Sequence, residues 1–172
     1  INLAMNALVP LNDGRTIDVL VGNLIEFSRE NTQGANESLT HVLRVLGDIA
    51  DVRAVKPIIE WLDGGVAKIT SEDKSPYNRG LEERILKSAG NALGKIGKSA
   101  LKEILTLLES DRYGRIVSVI ALDVIECKPD NDELMALYLL TKEDLDLKST
   151  SVPETSYIQD CIDLGEKVVD IL

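Results

Sequence analysis

The side chains that most often carry chemistry are few in this chain. His41 is the only histidine, so any centre that needs two is excluded, HExxH zinc sites and paired His-Glu iron ligands among them. Set between Thr40 and Val42 in a helical stretch, it reads as a solvent-facing or packing residue rather than a catalytic base. Cys127 and Cys161 are the two cysteines, and neither has that histidine nearby in sequence. Because a reactive thiolate needs a basic or helix-N-terminal setting, both read as core residues of helix-like segments. They form no CxxC pair and no disulfide framework, which points to a reducing, cytoplasmic compartment. Neighbouring acids, Glu82 with Glu83 and Glu143 with Asp144 and Asp146, offer carboxylates for a cation or for acid-base work. In a chain with 29 Asp plus Glu such pairs arise by chance, none has calcium-loop spacing, and they read as solvated faces. No GxxxxGK[ST] loop occurs, and Gly90 and Gly94 fall inside a helical pattern as sites of close helix approach. The expectation is a chain that is not an enzyme, with no catalytic residue, no cofactor and no metal site.

The elements that carry these residues are helices. Val55, Ile58, Ile59 and Leu62 stand at i, i+3, i+4 and i+7, which places them on one stripe, and Ile104, Leu105 and Leu108 repeat the spacing. Leu39, Val42, Leu43, Leu46 and Ile49 form a facing stripe, so the two segments close as an antiparallel hairpin. A content of 44% apolar but only 3% aromatic residues fits close helix-on-helix packing by small and branched side chains, and hence an all-α class.

The hairpin recurs. Residues 7–24 lie on 45–62 without a gap, Leu8 on Leu46, Asp13 on Asp51, Arg15 on Arg53 and Leu24 on Leu62. Leu93, Gly94 and Ile96 match Leu46, Gly47 and Ile49, and Leu122 and Ile125 match Leu93 and Ile96 in turn. Repeats at this spacing mark a solenoid. The expected organisation is one domain over 1–172, with repeats at 1–26, 36–63, 81–110 and 112–141 and a terminal cap at 155–172 that covers the open apolar end. Asp13 and Asp51 fall where a side chain accepts from the unpaired N–H groups of the next helix, so they read as caps. Polar stretches 27–36, 63–80 and 142–153 read as inter-repeat loops forming a fringe along one edge. The chain opens on Ile1 inside an apparent helix, and it reads as part of a longer protein.

The stretch LGDIADVRAVKPIIEWL, residues 46–62, resembles the junction of a HEAT repeat of the phycobilisome-lyase subtype, whose common form is roughly LGxIGDxRAVxPLIxxL. The resemblance implies a right-handed α-α superhelix of about four helical hairpins, with structural roles for the turn arginines Arg15 and Arg53. It also implies that the second helices of successive repeats line a concave docking face. Off their apolar stripe these helices present Lys56, Glu60, Trp61 and Asp63, then Lys102, Glu103, Thr106 and Glu109. Trp61, the one tryptophan, lies about 100° from the stripe on the flank shared with Leu107. It has two open readings, packing against the neighbouring repeat or an exposed anchor for a partner.

A net charge of −10 repels phosphate backbones and anionic lipid, and no apolar run approaches the length that spans a bilayer. The expected partner is therefore a protein or peptide rather than nucleic acid or membrane, held on the concave face or the loop edge. Two other functions follow from resemblance alone: a phycobilin-lyase-like subunit that assists chromophore attachment and, more weakly, nucleic-acid binding.

Overall fold

The computed structural model describes residues 14–30, 33–70 and 76–149. Among the described residues seven α-helices run in chain order: α1 Gly14–Glu30, α2 Gln33–Ile49, α3 Val55–Thr70, α4 Pro76–Ile96, α5 Leu101–Leu108, α6 Arg112–Ile125 and α7 Asp132–Ser149. Turns of 3₁₀ helix, Val52–Ala54 and Gly97–Ala100, lead into α3 and α5, and there is no strand among the described residues. The chain divides into two compact units, Ile1–Lys142 and Glu143–Leu172. Of the second unit, only the end of α7 is described.

The apolar stripes form the core of the first unit. Leu39, Val42, Leu43 and Leu46 of α2, Ile58 of α3, Leu93 of α4, and Ile104 and Leu108 of α5 are all fully buried. Each such side chain contributes about 2 kcal/mol by leaving water. Trp61 and Leu107 are buried too, so the apolar stripe of each second helix is wider than the i, i+3, i+4, i+7 positions alone. Helix α4 packs against both α2 and α6; α1 packs against α2 and α3, α3 against α4 and α6, and α5 against α6.

Glycine sets how closely these helices approach. A Cβ on Gly47 would lie 2.7 Å from the Ala92 Cα, and one on Gly94 would lie 2.5 Å from the Val124 Cβ. Gly90 meets Ile120 in the same way. The close approach read from Gly90 and Gly94 is what the structure shows, and Gly47 adds the matching contact on the other side of α4.

Helices α2, α4 and α6 end alike. Ile49, Ile96 and Ile125 close α2, α4 and α6, and the residues that follow, Ala50, Gly97 and Glu126, have φ of 55°, 82° and 56°. After α6 the Glu126 N–H donates to the Asp123 carbonyl and the Cys127 N–H to the Leu122 carbonyl, the paired bonds of a Schellman end. After α2 the Ala50 N–H reaches the Gly47 and Leu46 carbonyls. Asp51 then caps the next turn, its Oδ1 accepting from the Arg53 N–H at 2.9 Å, while the Arg53 guanidinium grips the same carboxylate. Asp111 does the same for α6 through the Gly114 N–H, and Asn131 for α7. Asp13 lies outside the described residues.

Two expectations are corrected. The polar stretches assigned to loops are helical over much of their length: α1 continues to Glu30, α2 begins at Gln33, α3 extends to Thr70, α4 begins at Pro76 and α7 runs to Ser149. A helix satisfies its own backbone groups, so it can extend past the packed core on polar residues that resemble loop composition. Cys127 is not a core residue; it follows the left-handed end of α6 and is partly exposed. Cys161 and the proposed cap at 155–172 lie outside the described residues.

Candidate functional site

The residues assigned to docking occupy α3 and α5. Lys56, Glu60 and Asp63 are exposed along one face of α3, with Lys56 and Glu60 paired at 3.5 Å while remaining 84% and 65% exposed. Such a solvated i, i+4 pair adds only a few tenths of a kcal/mol and leaves both heads available to a partner. Lys102, Glu103 and Thr106 on α5 and Glu109 just past its end are likewise exposed, and the Thr106 hydroxyl donates to the Lys102 carbonyl at 3.1 Å. Trp61 differs from the other seven. It is 5% exposed, and its ring packs inside the chain rather than standing out as an anchor. Its Nε1–H has no hydrogen-bond partner among the described residues, so apolar burial is what holds the indole there.

A second surface lies across α2, α4 and α6. Glu37, Thr40, His41 and Arg44 of α2, with Arg84, Ser88, Asn91, Ala92 and Lys95 of α4 and Val124 of α6, line an open groove of about 670 Å³. Its floor includes the buried Ala92, whose backbone lies against Gly47. The rows on α2 and α4 match by the repeat: Glu37 corresponds to Arg84, His41 to Ser88, Arg44 to Asn91 and Asp48 to Lys95. On α6 the position equivalent to Asp48 and Lys95 is Val124, which is 43% exposed and makes the apolar end wall.

Asp48 ties the two rows together. Its Oδ1 accepts from the Lys95 Nζ at 2.6 Å and its Oδ2 from the Arg44 guanidinium at 3.0 Å. Arg44 also stands 3.2 Å from the His41 Nδ1. Arg84 makes no ion pair with any described residue.

A third polar cluster sits between α6 and α7. The Tyr138 hydroxyl donates to the Asp123 carboxylate, and the Lys142 Nζ reaches both Asp123 oxygens at 2.9 and 2.8 Å and the Tyr138 oxygen at 3.1 Å. Burial, reinforced by the bond to Asp123, pushes the Tyr138 phenol above its ordinary range. The hydrogen bonds to Asp123 hold the Lys142 ammonium well above the usual lysine value. All three groups satisfy one another, so the cluster is a fastening and not an open site. Arg53 likewise holds the Asp51 carboxyl below the usual carboxylate range, chiefly through its side-chain hydrogen bonds.

Among the described residues, no group of three His, Cys, Asp or Glu side chains is placed to hold a metal, and no helix is long and apolar enough to cross a membrane. Sequence reasoning passed over the groove because it assigned docking to the second helices. The signal was present in Arg84, Ser88, Asn91 and Lys95, a polar row at i, i+4, i+7 and i+11 of one helix. Comparison with protein-family models, curated proteins and solved structures gave no match to the chain.

Proposed function

We propose that the chain is a HEAT-like α-α superhelix of the phycobilisome-lyase subtype and acts as a non-enzymatic scaffold that binds a partner protein or peptide. The observation that carries this reading is the recurrence of one junction. An isoleucine followed by a left-handed residue closes each first helix, at Ile49–Ala50, Ile96–Gly97 and Ile125–Glu126, at the same positions where Leu46, Leu93 and Leu122 repeat in the sequence. A hairpin that buries only one face stacks on its neighbours, and the stack presents successive second helices side by side.

The docking surface in this reading is the exposed face of those helices: Lys56, Glu60 and Asp63 on α3, Lys102, Glu103 and Thr106 on α5, and Glu109 just past the end of α5. Mixed charge with no exposed aromatic fits recognition by electrostatic complementarity rather than an apolar groove. Trp61 contributes by fixing α3 in the core.

Affinity capture from the source cell tests it, comparing the wild type with a variant carrying Lys56→Glu, Glu60→Lys, Lys102→Glu and Glu103→Lys, which keeps the net charge. The expected outcome is a protein retained by the wild type and weakened by about tenfold or more in the variant, the scale of about 1.4 kcal/mol. Equal retention by both, or no retained protein, contradicts docking on this face.

A further inference from the structure

We propose that the outer face of α7 receives an antiparallel amphipathic helix of a partner protein, one with an apolar stripe and Lys or Arg in its last turn. The face uses no residue of α3 or α5, so the proposal stands apart from docking there.

Uncovered apolar residues are the first argument. From Leu134 to Leu140 the chain reads LMALYLL, seven apolar residues in succession. A helix turns by about 100° per residue, so such a run puts apolar side chains on every side, the pattern of a helix enclosed by protein. Of the seven only Tyr138 is buried, and it is fastened to Asp123. Ala136, Leu137, Leu139 and Leu140 lie about 100–160° around the helix from it. The first two are half-buried, and the last two are 49% and 38% exposed. A lone exposed leucine is ordinary, whereas adjoining ones mark a contact surface.

Spacing selects a helix as the occupant. Asp132, Ala136 and Leu139 stand at i, i+4 and i+7, and so do Glu133, Leu137 and Leu140. These are two adjacent rows, each beginning on an acid and continuing on apolar residues. Between such rows runs the groove into which a second helix sets its own apolar ridge. The rows span about 12 Å, roughly two turns of a partner helix.

Charge selects its composition and direction. Asp130, Asp132 and Glu133 are exposed at the N-terminal end of α7, and Lys128 is the one base between Glu126 and Leu140. The Asp132 and Glu133 carboxylates form no ion pair with any described residue, while Lys142 is paired with Asp123. A helix ending on Lys or Arg meets these acids when it runs antiparallel to α7, and its basic last turn also suits its own dipole. Neither a second copy, also of net charge −10, nor the chain's own residues 150–172, with five acids and one lysine, carries the opposite net charge.

Titration of acetyl-Leu-Ala-Gln-Leu-Leu-Gln-Ala-Leu-Leu-Lys-Arg-Lys-amide into the ¹⁵N-labelled full chain, followed by amide shifts, tests the proposal. Saturable shifts are expected from Asp132 to Leu140 and not along α3 or α5. Leu139→Gln combined with Leu140→Gln, both at exposed positions, weakens the binding by about tenfold or more. Val19→Gln, at a comparably exposed apolar position on α1, alters it by less than about twofold. In the unchanged protein, Glu in place of the basic residues of the peptide lowers affinity by about tenfold or more. Absence of saturable shifts on α7, equal binding of the Glu-ended peptide, or equal loss in the double variant and in Val19→Gln overturns the proposal. A wild type that sediments as a dimer while the double variant is monomeric assigns the face to a second copy and also overturns it. A partner that docks on α3 and α5 leaves all of these readings unchanged.

Discussion

The two sides of α6 are built on opposite principles. Toward α4 it meets Gly90 and Gly94 through Ile120 and Val124, backbone against side chain with no room for another carbon. Toward α7 it presents Asp123, whose carboxylate holds Tyr138 and Lys142, and Tyr138 is the one buried side chain among those described on α7. Leu139 and Leu140, next to it, are 49% and 38% exposed. The first junction depends on shape and tolerates no added volume. The second depends on a few polar contacts and is sensitive to their chemistry.

Substitutions separate the two. Gly47→Ala brings a Cβ against the Ala92 backbone, which cannot step aside, and is expected to cost about 3 kcal/mol in urea denaturation. Gly94→Ala, which meets the Val124 side chain instead, is expected to cost somewhat less. If both are neutral, the close approach is not what fixes α4. Tyr138→Phe keeps the ring and removes its bond to Asp123, and is expected to cost about 1 kcal/mol, felt mainly in α7.

A gain of stability sharpens the shared junction. Ala50 sits at φ 55° at the place where Gly97 closes α4, so Ala50→Gly removes left-handed strain and is expected to raise stability by about 0.5–1 kcal/mol, measured as a higher denaturation midpoint. Gly97→Ala at the equivalent turn is expected to lose a similar amount.

The smallest effect is one of pH. Tyr138 and Lys142 both have raised values in the folded chain. Their contribution is therefore complete below the unfolded values near pH 10 and fades as pH rises through the folded ones. In an absorbance titration of the tyrosinate band, the Tyr138 contribution, identified by difference from Tyr138→Phe, is expected to appear at higher pH than that of an ordinary tyrosine.

Much of the shape-based side was legible in the sequence. The Leu-Gly-x-Ile pattern at 46–49 and 93–96 carries both the apolar stripe and the gap for the neighbouring helix, and Asp51 is followed by the backbone N–H it caps. Burial of Trp61 was harder to read, because its flank position fits a core and an interface equally; Leu107 at the matching place in α5 was the clue. Helix ends in the polar stretches were not legible, since composition there records solvent exposure and not backbone conformation. The groove was hidden for a different reason. Its two rows lie 47 residues apart, as in the pairing of Asp48 with Lys95, and only packing at Gly47 brings them together.

Hydrogen exchange measured amide by amide tests the contrast between the two sides of α6 most directly. Amides in α4 and α6 are expected to exchange only through global unfolding. Those of α7 between Glu133 and Lys142 are expected to open at a lower free energy, and Tyr138→Phe lowers it further without changing α4. Equal protection of α7 and α4, or loss of protection in α4 when Tyr138 is changed, would contradict the division between a junction made by shape and one made by polar contacts.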